Sequence, residues 1–79
     1  MTHVEFKYWM QGFLILSDDL YITQKQYHII KNHADLSKAV VGHQDEGISL
    51  FMERLKGVDK ISKTSINDAK LYAKECGIF

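Results

Sequence analysis

Apolar residues recur along this chain at the spacing of a helix rather than of a strand, and four segments carry the pattern. In the first, Phe6, Trp9, Met10, Phe13, Leu14 and Leu16 are assigned to one broad face. Tyr8 and Ile15, seven apart, lie on the other side, with Gly12 between the two strips. Thr2 and Glu5 stand in capping-box relation, in which a hydroxyl accepts from the amide three residues on while the carboxylate reaches back. Ser17, Asp18 and Asp19 end the segment, because their short side chains compete for backbone hydrogen bonds. The predicted helix is Thr2–Ser17.

The second helix is predicted over Thr23–Val41. Thr23 and Gln26 form another capping box, Ile22 and Tyr27 fit a hydrophobic staple, and Gly42 supplies a left-handed stop. Tyr27, Ile30, Ala34 and Val41 make one stripe, and Ile29, Leu36 and Val40 an adjoining one. Together they exceed the ~100° stripe of a simple surface helix, so this helix is expected to be central and to pack on more than one neighbour. The third helix is predicted over Asp45–Lys56, with Ile48, Phe51, Met52 and Leu55 inward. Its acids stand at the positive end, Arg54 and Lys56 at the negative end, and Gly57 stops it. Gly47 is a poor helix former near its start. After a polar linker, Ser65 caps a fourth helix, Ser65–Cys76, whose apolar face is Ile66, Ala69, Tyr72, Ala73 and Cys76. Gly77 then lets Ile78 fold back on Ala73 or Tyr72. The expected fold is all-α: one small four-helix domain over residues 1–79, built on an N-terminal helical hairpin.

Length sharpens this picture. The chain has 79 residues and no Pro, and its ten basic and ten acidic residues cancel. A domain of this size buries only about 60% of the surface its unfolded chain exposes, so its stability margin is thin. Cys76 is the single cysteine, which excludes a disulfide framework. The remaining remedies are tight helix packing and self-association. A homo-oligomer is therefore expected, through the Tyr8–Ile15 strip beside Gly12. No apolar run approaches the ~20 residues of a membrane span, and no basic stretch precedes an apolar core at the N-terminus. The expectation is a cytoplasmic chain with no membrane partner.

Candidate chemistry is sparse. His28 and His33 are five apart, about 140° around a helix, which is wrong for a metal pair, while His3 and His43 lie elsewhere. No nucleophile elbow or glycine-rich phosphate loop is present, and Cys76 sits on an apolar face. No catalytic residue, metal ligand or cofactor is assigned, and the chain is read as not an enzyme. His33 falls within the apolar arc of its helix, which suits a half-buried histidine bonded to a nearby carbonyl or carboxylate; a ligand or interface contact is the sharper reading. Arg54, Lys56, Lys60, Lys63, Lys70 and Lys74 cluster in the last third but are diluted by Asp59, Asp68 and Glu75, as on a solvated face.

The run Phe6-Lys7-Tyr8-Trp9-Met10-Gln11-Gly12-Phe13, followed by Gln26, Ile29-Ile30-Lys31-Asn32-His33 and Leu36, resembles a group of small proteins predicted in tailed-phage genomes. Their common pattern is F-K-Y-W-L-Q-G-F, then Q-x-x-I-I-K-x-H-x-x-L. The resemblance covers the first half of the chain, with Met10 in place of the usual Leu and Ala34 where a larger apolar residue is common. It implies action inside an infected bacterium and transfers no catalytic residue. It marks Tyr8, Trp9, Gln11, Gly12 and His33 as positions where the pattern exceeds the needs of core packing.

Taken with the Tyr8–Ile15 strip, the expected function is that of a phage-type interaction protein that binds and modulates a host or phage protein, such as a host defence factor. Its candidate contacts are Tyr8, Trp9, Gln11, Gly12, Ile15 and His33. The alternative is a nucleotide-like small molecule held at a helix or subunit seam, with Trp9 or Tyr8 stacking and Gln11 and His33 as polar contacts. A third reading is weak nucleic-acid binding through Arg54, Lys60, Lys63 and Lys74.

Overall fold

The computed structural model describes residues 1–18, 20–59 and 64–79. Asp19, Lys60 and Lys63, named above, lie outside the described residues. The order is α1 (His3–Leu16), α2 (Gln24–Val41), α3 (Glu46–Leu55), a 3₁₀ turn (Lys56–Asp59) and α4 (Ile66–Glu75). Local chemistry sets the helix starts. Thr2 and Thr23 each accept from the amide three residues on, and the Glu5 and Gln26 side chains accept in return from the cap amides. Asp45 and Ser65 cap α3 and α4 in the same way, through Ile48 and Asp68. At the far ends, Gly42 and Gly77 have φ of 93° and 76°, a region that suits glycine. The Ile78 amide donates to Ala73 and the Gly77 amide to Lys74, completing a Schellman ending that seats Ile78 in the core, 1% exposed.

α1 and α2 form a hairpin. α4 packs against α1, and α3 bridges α2 and α4. One core joins them, built from Phe6, Met10 and Leu14 of α1, Tyr27, Ile30 and Ala34 of α2, Ile48, Phe51 and Leu55 of α3, and Ile66, Ala69 and Ala73 of α4. Each helix thus buries residues at i, i+3, i+4 or i+7. α2 does touch several neighbours, but only its Tyr27–Ile30–Ala34 stripe is covered; Ile29, Leu36 and Val40 stay exposed. Leu16 is corrected: it is 80% exposed rather than inward. Six residues at 100° each carry it about 120° around α1 from Met10, off the buried face. Trp9 and Phe13 are half-buried at the core's edge. Gly57 does not end the packed chain, because the 3₁₀ turn runs through it and buries Val58.

Polar ties close the fold across long sequence separations. Leu20–Ile22 lies antiparallel to Thr64–Ile66, with Ile22 donating to Thr64 and Ile66 to Leu20, each at 2.9 Å. The Gln11 side-chain amide donates to the Ile78 carbonyl at 2.6 Å, pinning the C-terminus to α1. Ser37, fully buried, donates to the Ala34 carbonyl, which also receives Gln44.

Gly47 has a structural reason. A Cβ there would stand 2.2 Å from the Cys76 carbonyl oxygen, so the first turn of α3 rests on the end of α4 because residue 47 has no side chain. Helix propensity alone makes Gly47→Ala stabilising by about 1 kcal/mol. The close approach reverses the sign, and we expect a loss of about 1–3 kcal/mol in denaturant unfolding. Asp45 supplies a pH test. Partial burial pushes its carboxyl up, but the Ile48 amide, the Lys7 ammonium 3.5 Å away and nearby His3 outweigh burial and hold it below the ordinary aspartate value. Glu5 is lowered as well, through its hydrogen bonds with Thr2. A depressed carboxylate stabilises above its unfolded pKa and loses that contribution as pH falls through the lower folded value. Stability should therefore drop as pH falls below about 4, and less steeply in Asp45→Asn, as followed by unfolding at several pH values.

Candidate functional site

The singled-out residues of α1 and α2 divide into those used inside the fold and those facing out. Gln11 belongs to the first group through its bond to Ile78. Trp9 and His33 make the joint between the two helices. Their rings lie 4.1 Å apart, centroid to centroid, with planes 5° from parallel. The His33 Nδ1 is 2.8 Å from the Ile29 carbonyl oxygen, which can only accept, so Nδ1 carries the proton and donates. That bond turns the imidazole back along α2 and fixes the plane on which the indole stacks. Phe13 continues the aromatic row, 5.9 Å from Trp9. The half-buried histidine with a carbonyl partner is thus present, and the carbonyl is that of its own helix.

Beyond this joint the outer side of α1 opens. Tyr8, Trp9, Gly12, Phe13, Leu16, Ser17, Asp18 and Gln26 line a shallow open groove of about 690 Å³. Tyr8 is 69% exposed, and Leu16 on the same lining is also exposed. No atom lies within 4 Å of where a Gly12 Cβ would stand, so the glycine leaves a notch in the wall rather than serving internal packing. Ile15 is exposed on the adjoining strip with Val4, outside the groove lining. The face is mainly apolar, with Asp18 its one acid among the described residues. Phe13, Leu16, Ser17, Asp18 and Gln26 were not among the contacts expected from sequence. Leu16 was legible by stricter angle counting. Gln26 was not, since its capping role gave no hint that it also borders α1.

The other readings find less geometry. One face of the Trp9 ring is taken by His33, leaving Tyr8 as the aromatic side chain free to stack on a ligand. Arg54 is engaged: its guanidinium pairs with Glu75 and lies over the Tyr72 ring, 5.4 Å from its centroid. Among the described residues, no group of three or more His, Cys, Asp or Glu is placed to hold a metal ion. His3 and His43 meet edge to face at 5.7 Å, and Cys76 is buried as a free thiol. No helix among the described residues is long and apolar enough to cross a membrane. Neither a protein-family model, nor a curated protein, nor a solved structure matches the chain.

Trp9 is the single tryptophan, so its fluorescence reads the joint directly. His33→Ala should bare the indole face to water, shift its emission to the red and cost about 1 kcal/mol of stability. An unshifted spectrum would mean that the stack does not persist in solution.

Proposed function

We propose that this chain is a non-enzymatic, phage-type interaction protein that acts inside an infected bacterium, binding and modulating a host or phage protein, of which a host defence factor is one kind. The observation that carries the reading is the open apolar groove on α1, in which Tyr8, Gly12 and Leu16 face outward although the helix has a full inner face of its own. A small domain with a thin stability margin gains nothing in the unbound state from a Leu held 80% exposed. Covering such a surface stabilises a complex, at about 25 cal/mol per Å² of apolar area. Shape adds to this. A shallow, open wall with a glycine notch suits a helix or extended segment of another protein better than a ligand needing enclosure on most sides. The resemblance of Phe6–Phe13 and Gln26–Leu36 to tailed-phage proteins supplies the cellular setting.

A nucleotide-like small molecule is the second reading. It is favoured by the size of the groove and by Tyr8 at its wall, with Gln26 and Asp18 as polar neighbours. Affinity capture from phage-infected cells, with protein and small-molecule analysis of the same eluate, separates the two. We expect a discrete protein partner whose purified form binds at least about tenfold more weakly to Leu16→Lys, a side chain whose exposure leaves the fold intact. A captured nucleotide without a protein, or a partner indifferent to both Leu16→Lys and Tyr8→Ala, would overturn the interaction reading.

A further inference from the structure

α2 carries a stripe that the described chain leaves largely uncovered, with only His33 sheltered on one side, by Trp9. Ile29, His33, Leu36 and Val40 follow one another at spacings of four, three and four, with Gln26 three residues earlier on the same line. This is the a/d spacing of a coiled-coil seam. Ile29, Leu36 and Val40 are 41, 54 and 60% exposed, and His33 is half-buried. With Ile29 and Leu36 at d and His33 and Val40 at a, the outer border of the stripe consists of Asn32 and Ala39. Its inner border is Ile30 and Ser37, both buried in the chain's own core. None of these flanking α2 positions, from Ile29 to Val40, is charged. The charges of this part of α2, Lys31, Asp35 and Lys38, line a different groove, with Met52 and Glu53 of α3.

We propose that the occupant of this stripe is a second copy of the chain, its α2 packed antiparallel against the first. The proposal rests on the reading of the hairpin as an interaction surface, and it assigns α2 to the second copy while α1 keeps its groove. Two features select a second copy over a foreign partner. A two-fold contact sets a surface against itself, so any charge at its centre meets its own like; the uncharged borders meet that demand, which a foreign partner would not impose. The register is also self-complementary. A two-fold axis between Ala34 and Asp35 sets Ile29 against Val40 of the partner subunit and His33 against Leu36 of the partner subunit. Every a position then meets a d, the layer order of antiparallel helices. His33 enters this seam pre-set, its ring fixed by Trp9 on one side and by the Ile29 carbonyl. The stripe runs about 16 Å along the helix, at the 1.5 Å rise per residue. Such a contact belongs at the low end of interface sizes, so the dimer should form at micromolar rather than nanomolar concentration.

Sedimentation equilibrium over a concentration series tests this. The mass should double with a midpoint between about 1 and 100 µM, and Leu36→Lys and Val40→Lys should each raise that midpoint more than about tenfold with an unchanged helical circular dichroism spectrum. Tyr8→Ala should dimerise like the parent chain. A monomer up to about 1 mM, a dimer indifferent to both lysine variants, or one dissociated by Tyr8→Ala and not by Leu36→Lys would overturn the proposal. Register is read by mixing Ile29→Cys with Val40→Cys under mild oxidation, the native Cys76 being buried. Antiparallel pairing links the two variants to each other and neither to itself. Self-linking of each alone would refute it. Loss of partner capture by Leu16→Lys with an intact dimer would leave this seam standing apart from the groove on α1.

Discussion

Four short amphipathic helices can each present one stripe to a shared core, and α2 carries two. That mismatch shapes the rest of the molecule. The Tyr27–Ile30–Ala34 stripe takes the centre, where α1 and α3 reach it. The Ile29–Leu36–Val40 stripe is left outward, since none of the elements among the described residues covers it. α1 repeats the situation on a smaller scale: Phe6, Met10 and Leu14 consume its inner face, and Val4, Tyr8, Ile15 and Leu16 are left outside. The Trp9–His33 stack sits where the two leftovers meet. It closes the edge of the core and begins the outer surface.

With so small a core, connections beyond apolar packing matter. Gln11 to Ile78, the Tyr21–Ser65 bridge and the two donors on the Ala34 carbonyl each join segments, or brace a turn, that packing alone would leave loosely placed. Their donors are main-chain or side-chain amides and, at Ser37, a hydroxyl, and their acceptors are main-chain carbonyls, so they select one arrangement of the helices among several that would bury similar area. The contact at Gly47 acts likewise through shape: only a residue without a side chain lets α3 start against the end of α4.

What could be read from the chain was mostly local. The boxes at Thr2–Glu5 and Thr23–Gln26, the cap at Ser65 and the fold-back of Ile78 are decided within a few residues, and each appears in the structure, while Asp45, read as an acid in the first turn of α3, is its cap. The inward faces followed from the helical period, except at Leu16, which leaves the face it was counted into, and on α2, where Val41 and the Ile29–Leu36–Val40 stripe stay exposed. What escaped was long-range. Nothing near Gly47 announces the Cys76 carbonyl, and nothing near Gln11 announces Ile78. Val58 gave no sign of burial while Gly57 read as a stop. Of the candidate contacts, Tyr8 and Gly12 do face outward, Trp9 and His33 prove to be partners of each other, and Gln11 is occupied internally.

The stack also bears on how the two outer surfaces would work together. Trp9 lines the groove on α1, and His33 lies on the seam of α2, yet the two rings are in van der Waals contact and nearly parallel. A partner pressing on the indole and a second copy pressing on the imidazole would each restrain the same pair. Restraint applied from one side lowers the ordering cost met from the other, and such coupling is reciprocal by linkage. The rings are already held by the core edge and by the Ile29 carbonyl, so little freedom remains to be lost, and the coupling should be small and favourable. A loose aromatic pair at the same place would couple the surfaces more strongly, at the cost of weaker binding on both. The geometry therefore favours two surfaces that tolerate each other's occupancy over a switch between them.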